Sequence, residues 1–126
     1  MTEDSVELVR LSYEAWNEHG PAVIRPMLAE DVELYDAPDL PDAQVWRGPD
    51  AVVNRLEAVT AAVGGGSVEF EGFAPRGDAV LVRMCWQLDS GQGDLRLGQI
   101  FHLVGVSEGM ISRIRVFLTE AEAQGA

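Results

Sequence analysis

Apolar positions in the first twenty residues fall on one helical stripe. Val6, Val9, Tyr13 and Trp16 recur at intervals of three or four, and Leu8, Leu11 and Ala15 widen the face. Asp4 followed by Glu7 resembles a capping pattern, and early acids suit the positive end of a helix dipole. The run Asn17-Glu18-His19-Gly20-Pro21 is the stop, with Gly20 as C-terminal cap and Pro21 able to open a second helix over Ala22–Leu28. Pro26 limits or kinks that helix. Val32–Tyr35 predicts a short strand, followed by a loop over 36–42 with two prolines and three aspartates. Gly48-Pro49-Asp50 starts a third helix that runs to about Ala62, its buried stripe being Val52, Val53, Leu56 and Val59. Gly64-Gly65-Gly66 ends it. No Lys-Ser or Lys-Thr follows these glycines, so they are not a phosphate loop.

After Ser67 the period changes to two. Strands are predicted over Val68–Phe73, Ala79–Leu88, Leu95–Val106 and Met110–Leu118, joined by short turns at Gly77-Asp78, Ser90-Gly91 and Ser107-Glu108-Gly109 as in an antiparallel meander. Val80, Val82, Met84, Trp86 and Leu88 share one face of the second of these strands; Leu81, Arg83, Cys85 and Gln87 share the other. Both faces are partly apolar, so each is expected to pack on something. Thr119–Ala126 is small and acidic and reads as a fraying tail of a single domain spanning 1–126. Helices first and a long sheet afterwards predict an α+β domain: three N-terminal helices packed against a strongly curved antiparallel sheet, a cone whose interior is the natural pocket.

Composition narrows the chemistry. The 126 residues carry 9 Lys+Arg against 21 Asp+Glu, a formal charge of −12, and no basic cluster offsets it. Neither a nucleic-acid partner nor an anionic membrane surface is expected. One cysteine cannot make an intramolecular disulfide, and the acidic N-terminus has no basic signal-peptide start, so the expected location is cytoplasmic. Two histidines without acids at ligand spacing argue against a zinc site, and no cofactor is implied. What is left is pocket chemistry on a neutral or weakly polar small molecule.

The Tyr13/Trp16 helix, the phrase Leu28-Ala29-Glu30-Asp31-Val32-Glu33-Leu34, the helix opening Trp46-Arg47-Gly48-Pro49 and the closing strand Gly109–Phe117 together resemble the ketosteroid-isomerase-like superfamily, also called nuclear-transport-factor-2-like. Within it the chain is most similar to the SnoaL-like polyketide cyclases, over Ser5 to about Thr119. The resemblance implies a ketosteroid-isomerase-like cone and leaves function open, since isomerases, cyclases, dehydratases, epoxide hydrolases and binding domains share it. Carried over, it places the general-base aspartate at Asp36 and the oxyanion-side tyrosine at Tyr13. It puts Ile100 where the steroid isomerases have a second acid. It also turns Val82, Met84, Trp86, Ile100, His102, Ile114 and Val116 toward the pocket.

Each candidate has two readings. Asp36 at an apolar mouth suits a general base, or it caps its own turn. Asp39 and Asp42 read as solvated loop acids. His102 projects into the cone as a proton-trading group, or it is a core histidine bonded to a neighbouring strand or to Tyr13. Tyr13 is an oxyanion donor or plain core. Trp86 and Met84 suit the wall for a flat apolar ligand, and Trp46 caps the mouth or staples a helix. Arg83, Arg113 and Arg115 on outward faces read as ion-pair partners at a subunit contact, with Glu69 and Glu71 as counterparts. These readings predict an isomerase, cyclase or lyase acting on an apolar carbonyl compound, with Asp36 as base. The alternatives are a non-catalytic small-molecule-binding domain and a dimerisation domain. A homodimer through the outer sheet face is expected in each case, because Leu81, Cys85, Phe101, Leu103 and Phe117 would be costly to expose.

Overall fold

A computed structural model describes residues 2–38, 43–62, 67–89 and 94–125. The glycine run 64–66, the turn at 90–91 and the acids Asp39 and Asp42 lie outside the described residues. Helix α1 spans Thr2–His19. Its stripe buries Val9, Tyr13 and Trp16, while Leu11 on the opposite side is exposed. Gly20 ends it with φ +93°, a conformation that costs glycine little, and its N–H donates to the Trp16 carbonyl at 2.7 Å. Pro21–Met27 is a 3₁₀ helix, the short form compatible with Pro26. Strand β1 (Leu28–Tyr35) starts directly after it. Strand β2 (Val45–Arg47) has no counterpart in the sequence reading. Helix α2 (Pro49–Ala62) lies where it was expected.

Strands β3 (Ser67–Arg76), β4 (Ala79–Asp89), β5 (Asp94–Ser107) and β6 (Met110–Phe117) form the expected meander. The cone is corrected. Among the described residues six strands make one open sheet in the order β2-β1-β6-β5-β4-β3, with β2 and β3 at its edges, and it is neither closed nor strongly curved. It is also mixed, because β1 runs parallel to β6, pairing Leu34 with Ile114 and Tyr35 with Arg115. The reason is topological. Tight turns force antiparallel neighbours, whereas β1 is separated from β6 by α2 and the whole meander, and so long a crossover permits parallel pairing. The helices are not all N-terminal either. Residues 120–125, read as tail, form helix α3 (Glu120–Gly125), capped by the Thr119 hydroxyl, which accepts from the Glu122 N–H at 3.2 Å.

The alternation along β4 separates two cores. Val80, Val82, Met84 and Trp86 pack with Val104 and Ile114 beneath Val9, Tyr13 and Trp16 of α1 and Val52, Val53 and Leu56 of α2. On the opposite face Leu81, Phe101, Leu103 and Phe117 pack with Ala123 of α3. The chain's own C-terminal helix therefore covers part of the face expected to meet a second subunit. Arg83 pairs with Glu120 of that helix, and Arg115 lies over the Phe117 ring, 5.3 Å from its centroid.

Candidate functional site

A partly open cavity of about 210 Å³ lies between the inner face of the sheet and α1 and α2. It is smaller than the roughly 300–1,000 Å³ usual for ligand pockets, so it fits one small ring or one end of a larger molecule. Trp16, Leu56, Trp86, Ile100 and Val116 give it apolar walls, and Asp36, Arg55 and His102 are its charged or titratable members. A wider trough of about 920 Å³ on the other face is lined by Asp31, Glu33, Arg76, Arg113 and Arg115 and is open and polar. The smaller, more apolar space is the better chemical site, because low polarity strengthens each interaction made inside it.

Asp36 follows the last residue of β1 and is only 8% exposed. Its backbone N–H donates to the Gln44 carbonyl at 3.2 Å, which ties the carboxylate to the start of β2. Oδ1 accepts from Arg55 Nε at 3.0 Å. Oδ2 accepts from Trp46 Nε1 at 3.0 Å and from the Gln44 N–H at 3.3 Å. The Arg55 guanidinium in turn lies over the Trp46 ring, 5.3 Å from its centroid. Asp36, Arg55 and Trp46 thus form one interlocked unit in the wall, with an ion pair at its centre.

His102 sits on β5, paired with Val82 on one side and Val116 on the other. It is 4% exposed. Its Nδ1 is 2.9 Å from the Tyr13 hydroxyl, and its ring stacks on Trp16 at 6.2 Å between centroids. Burial pushes its pKa down from 6.5 to about 4 and pushes that of the Tyr13 phenol up, so both are neutral near pH 7. His102 is therefore both bonded to Tyr13, as one of its two readings had it, and among the residues that line the cavity.

The structure therefore gathers Asp36, His102, Trp86, Ile100 and Val116 around one space. Trp46 and Tyr13 stand behind it, each bonded to a lining residue. Val82, Met84 and Ile114 are fully buried core and do not line it. Gly98, at φ +132°, faces Trp86 where the β4–β5 register shifts, and so sets the position of that wall. Arg55 escaped the sequence reading, although a signal was present. It interrupts the apolar stripe of α2 between Val52 and Leu56, and a cation there requires a buried partner. Among the described residues no three His, Cys, Asp or Glu side chains converge as a metal site would require, and no helix is long and apolar enough to cross a membrane.

The mixed sheet, with α1 and α2 on one face and α3 on the other, makes an α+β domain whose fold is shared by nuclear-transport-factor-2-like structures. The SnoaL-like domain family matches residues 9–114, and the chain belongs to that family. An NTF2-like protein of unknown function from Mesorhizobium loti is 20% identical, with TM-score 0.73 over 94% of this chain and 93% of that one. TerC, co-crystallised with polyporic acid, is 18% identical, with TM-score 0.71 over 97% and 96% of the two chains. An LEH-like epoxide hydrolase from Mycobacterium tuberculosis is 17% identical, with TM-score 0.67 over 94% and 84%. At these identities the likeness is one of fold. No curated protein matches the chain.

Proposed function

We propose that the protein is a small-molecule enzyme of the isomerase, cyclase or lyase kind, acting on an apolar carbonyl compound in the cavity beneath α1 and α2. The observation that carries this reading is the placing of Asp36 and His102 in the wall of one largely apolar space. In the isomerase case the carbonyl oxygen rests against His102. The Asp36 carboxylate takes a proton from the carbon next to the carbonyl, the C–H electron pair moves onto the oxygen as an enolate, and the proton returns at another carbon. Arg55 and Trp46 hold the carboxylate in place, while Trp16 and Trp86 give a flat ligand its walls. Polyketide cyclisation, which also runs through an enolate, fits the same residues.

The probe is 3-cyclohexenone, small enough for the space, whose isomerisation to the conjugated enone is followed by ultraviolet absorbance. Wild-type protein is expected to speed the conversion, and Asp36→Asn to lower turnover at least about tenfold. Unchanged turnover in that variant removes Asp36 from the mechanism.

One observation favours a second reading, a binding domain without catalysis. Both Asp36 oxygens already accept hydrogen bonds, three in all, and a substrate proton must compete with them. Retention of 3-cyclohexenone without conversion, equal in wild type and Asp36→Asn, supports that alternative. Homodimerisation is proposed on the outer-face surface that α3 leaves uncovered. Light scattering at micromolar concentration is expected to give twice the mass of one chain, and a single-chain mass overturns the dimer. A cytoplasmic location suits a chain whose single cysteine, Cys85, is buried.

A further inference from the structure

We infer that Tyr13 is a positioning residue that holds His102 as the Nε2–H tautomer, so that the cavity floor offers a hydrogen-bond donor and selects ligands whose buried polar end is an acceptor only. This rests on the cavity being the functional site and narrows its ligand class to ketones, quinones or esters over alcohols and amines.

The argument is an accounting of donors. Tyr13 is fully buried, and its hydroxyl has one partner among the described residues, His102 Nδ1 at 2.9 Å. Two arrangements fit that distance. If Nδ1 carried the hydrogen and donated to the phenol oxygen, the phenolic O–H would point into packed protein with nothing to accept it. An unmade buried hydrogen bond is among the costlier defects a fold can hold. Tyr13 is edge-on to Trp16, Phe70 and Phe73, whose rings offer no strong acceptor. If the phenol donates to Nδ1, both groups are satisfied and the ring hydrogen sits on Nε2.

The other ring nitrogen then has to be placed. Among the described residues every fully buried side-chain nitrogen or oxygen has a partner. Nε2 of His102 has none there, so it keeps accessible surface, and the space His102 lines is the cavity. Stacking on Trp16 at an interplanar angle of 21° fixes the ring plane, and with it the direction in which Nε2–H points. A carbonyl oxygen satisfies that donor. A hydroxyl can do so as well but brings a hydrogen of its own, which must compete for the Asp36 carboxylate with the three hydrogen bonds its oxygens already accept, and an amine brings two or more. Tyr13 touches no ligand in this scheme. It acts through the ring it orients, and its distance from the cavity is a requirement of the role.

The test is a long-range ¹H–¹⁵N correlation spectrum of the full chain labelled at histidine. With only His19 and His102 in the sequence, and His19 exposed, assignment is direct. A pyrrole-like Nε2 and a pyridine-like Nδ1 for His102 at pH 7 support the inference, and the reverse pattern overturns it. Tyr13→Phe is expected to convert His102 to a mixture of tautomers; an unchanged spectrum in a folded variant overturns the positioning role. Acetophenone is expected to shift the Nε2 signal and to bind at least about threefold tighter than cumene, its counterpart without an acceptor. Equal binding of the two overturns the ligand class. Because the spectrum reads the tautomer with or without turnover, failure here and failure of the enzyme reading are distinguishable.

Discussion

The two polar ends of the cavity are built on opposite plans. Asp36 lies in a net of donors: Arg55, Trp46 and the Gln44 backbone fill both its oxygens. His102 has a single hydrogen-bond partner among the described residues, Tyr13, and lines the same space. The first end is held by charge and by three hydrogen bonds. The second is held by stacking and one hydrogen bond, with capacity to spare. A buried charge must be neutralised or it destabilises the fold, whereas a neutral imidazole tolerates burial with one nitrogen free toward a cavity. The comparison teaches that the more conspicuous group is also the more structural one.

Breaking the Asp36 end is expected to have the largest effect. Asp36→Ala leaves Arg55 against Trp46 and apolar side chains without a counter-charge. Arg55 is 26% exposed at its side chain, so the loss falls at the low end for a buried pair, about 3 kcal/mol. Urea unfolding near pH 7 measures it; a loss below about 1 kcal/mol shows that solvent already screens the pair.

The His102 end responds to acid. Its folded-state pKa is lowered from 6.5 to about 4 by burial. As the pH falls below about 6.5 the unfolded chain takes up a proton at this residue, while the folded chain does not until about pH 4. Stability from this source is therefore full above about pH 6.5, declines as acid is added, and levels off below about pH 4. Between pH 7 and pH 4.5 the decline is about 2 kcal/mol. Other groups titrate as well, so the measurement is the difference from His102→Gln, which should lose less stability over the same interval. Equal slopes in the two proteins would place His102 in contact with water.

Much of this architecture was legible along the chain. The 3.6-residue stripe of α1, the stop at Gly20-Pro21 and the switch to alternation after Ser67 depend on neighbours a few residues apart, and each lies where the pattern put it. Alternation placed His102 with Ile100 on one face of its strand, and the family resemblance turned that face and Trp86 toward the pocket. Val82, Met84 and Ile114 share that face but fall outside the cavity, because alternation specifies a side of the sheet and says nothing of which part of it a helix leaves uncovered. The cone failed for a related reason. Curvature and closure belong to the whole sheet, and here β2 and β3 are left as open edges.

The sequence by itself therefore determined α1, α2, β1 and the β3–β6 meander, their order and the alternation of faces within each strand, but not β2 or α3, since backbone sterics and side-chain periodicity act over a few residues. Tertiary structure alone decided the parallel seating of β1 on β6, the docking of α3 on the outer face, the Asp36–Arg55 pair and the Tyr13–His102 bond, whose partners are 89 residues apart. Such contacts form only when loop closure brings distant groups together, and their gain depends on a burial that exists only in the finished fold.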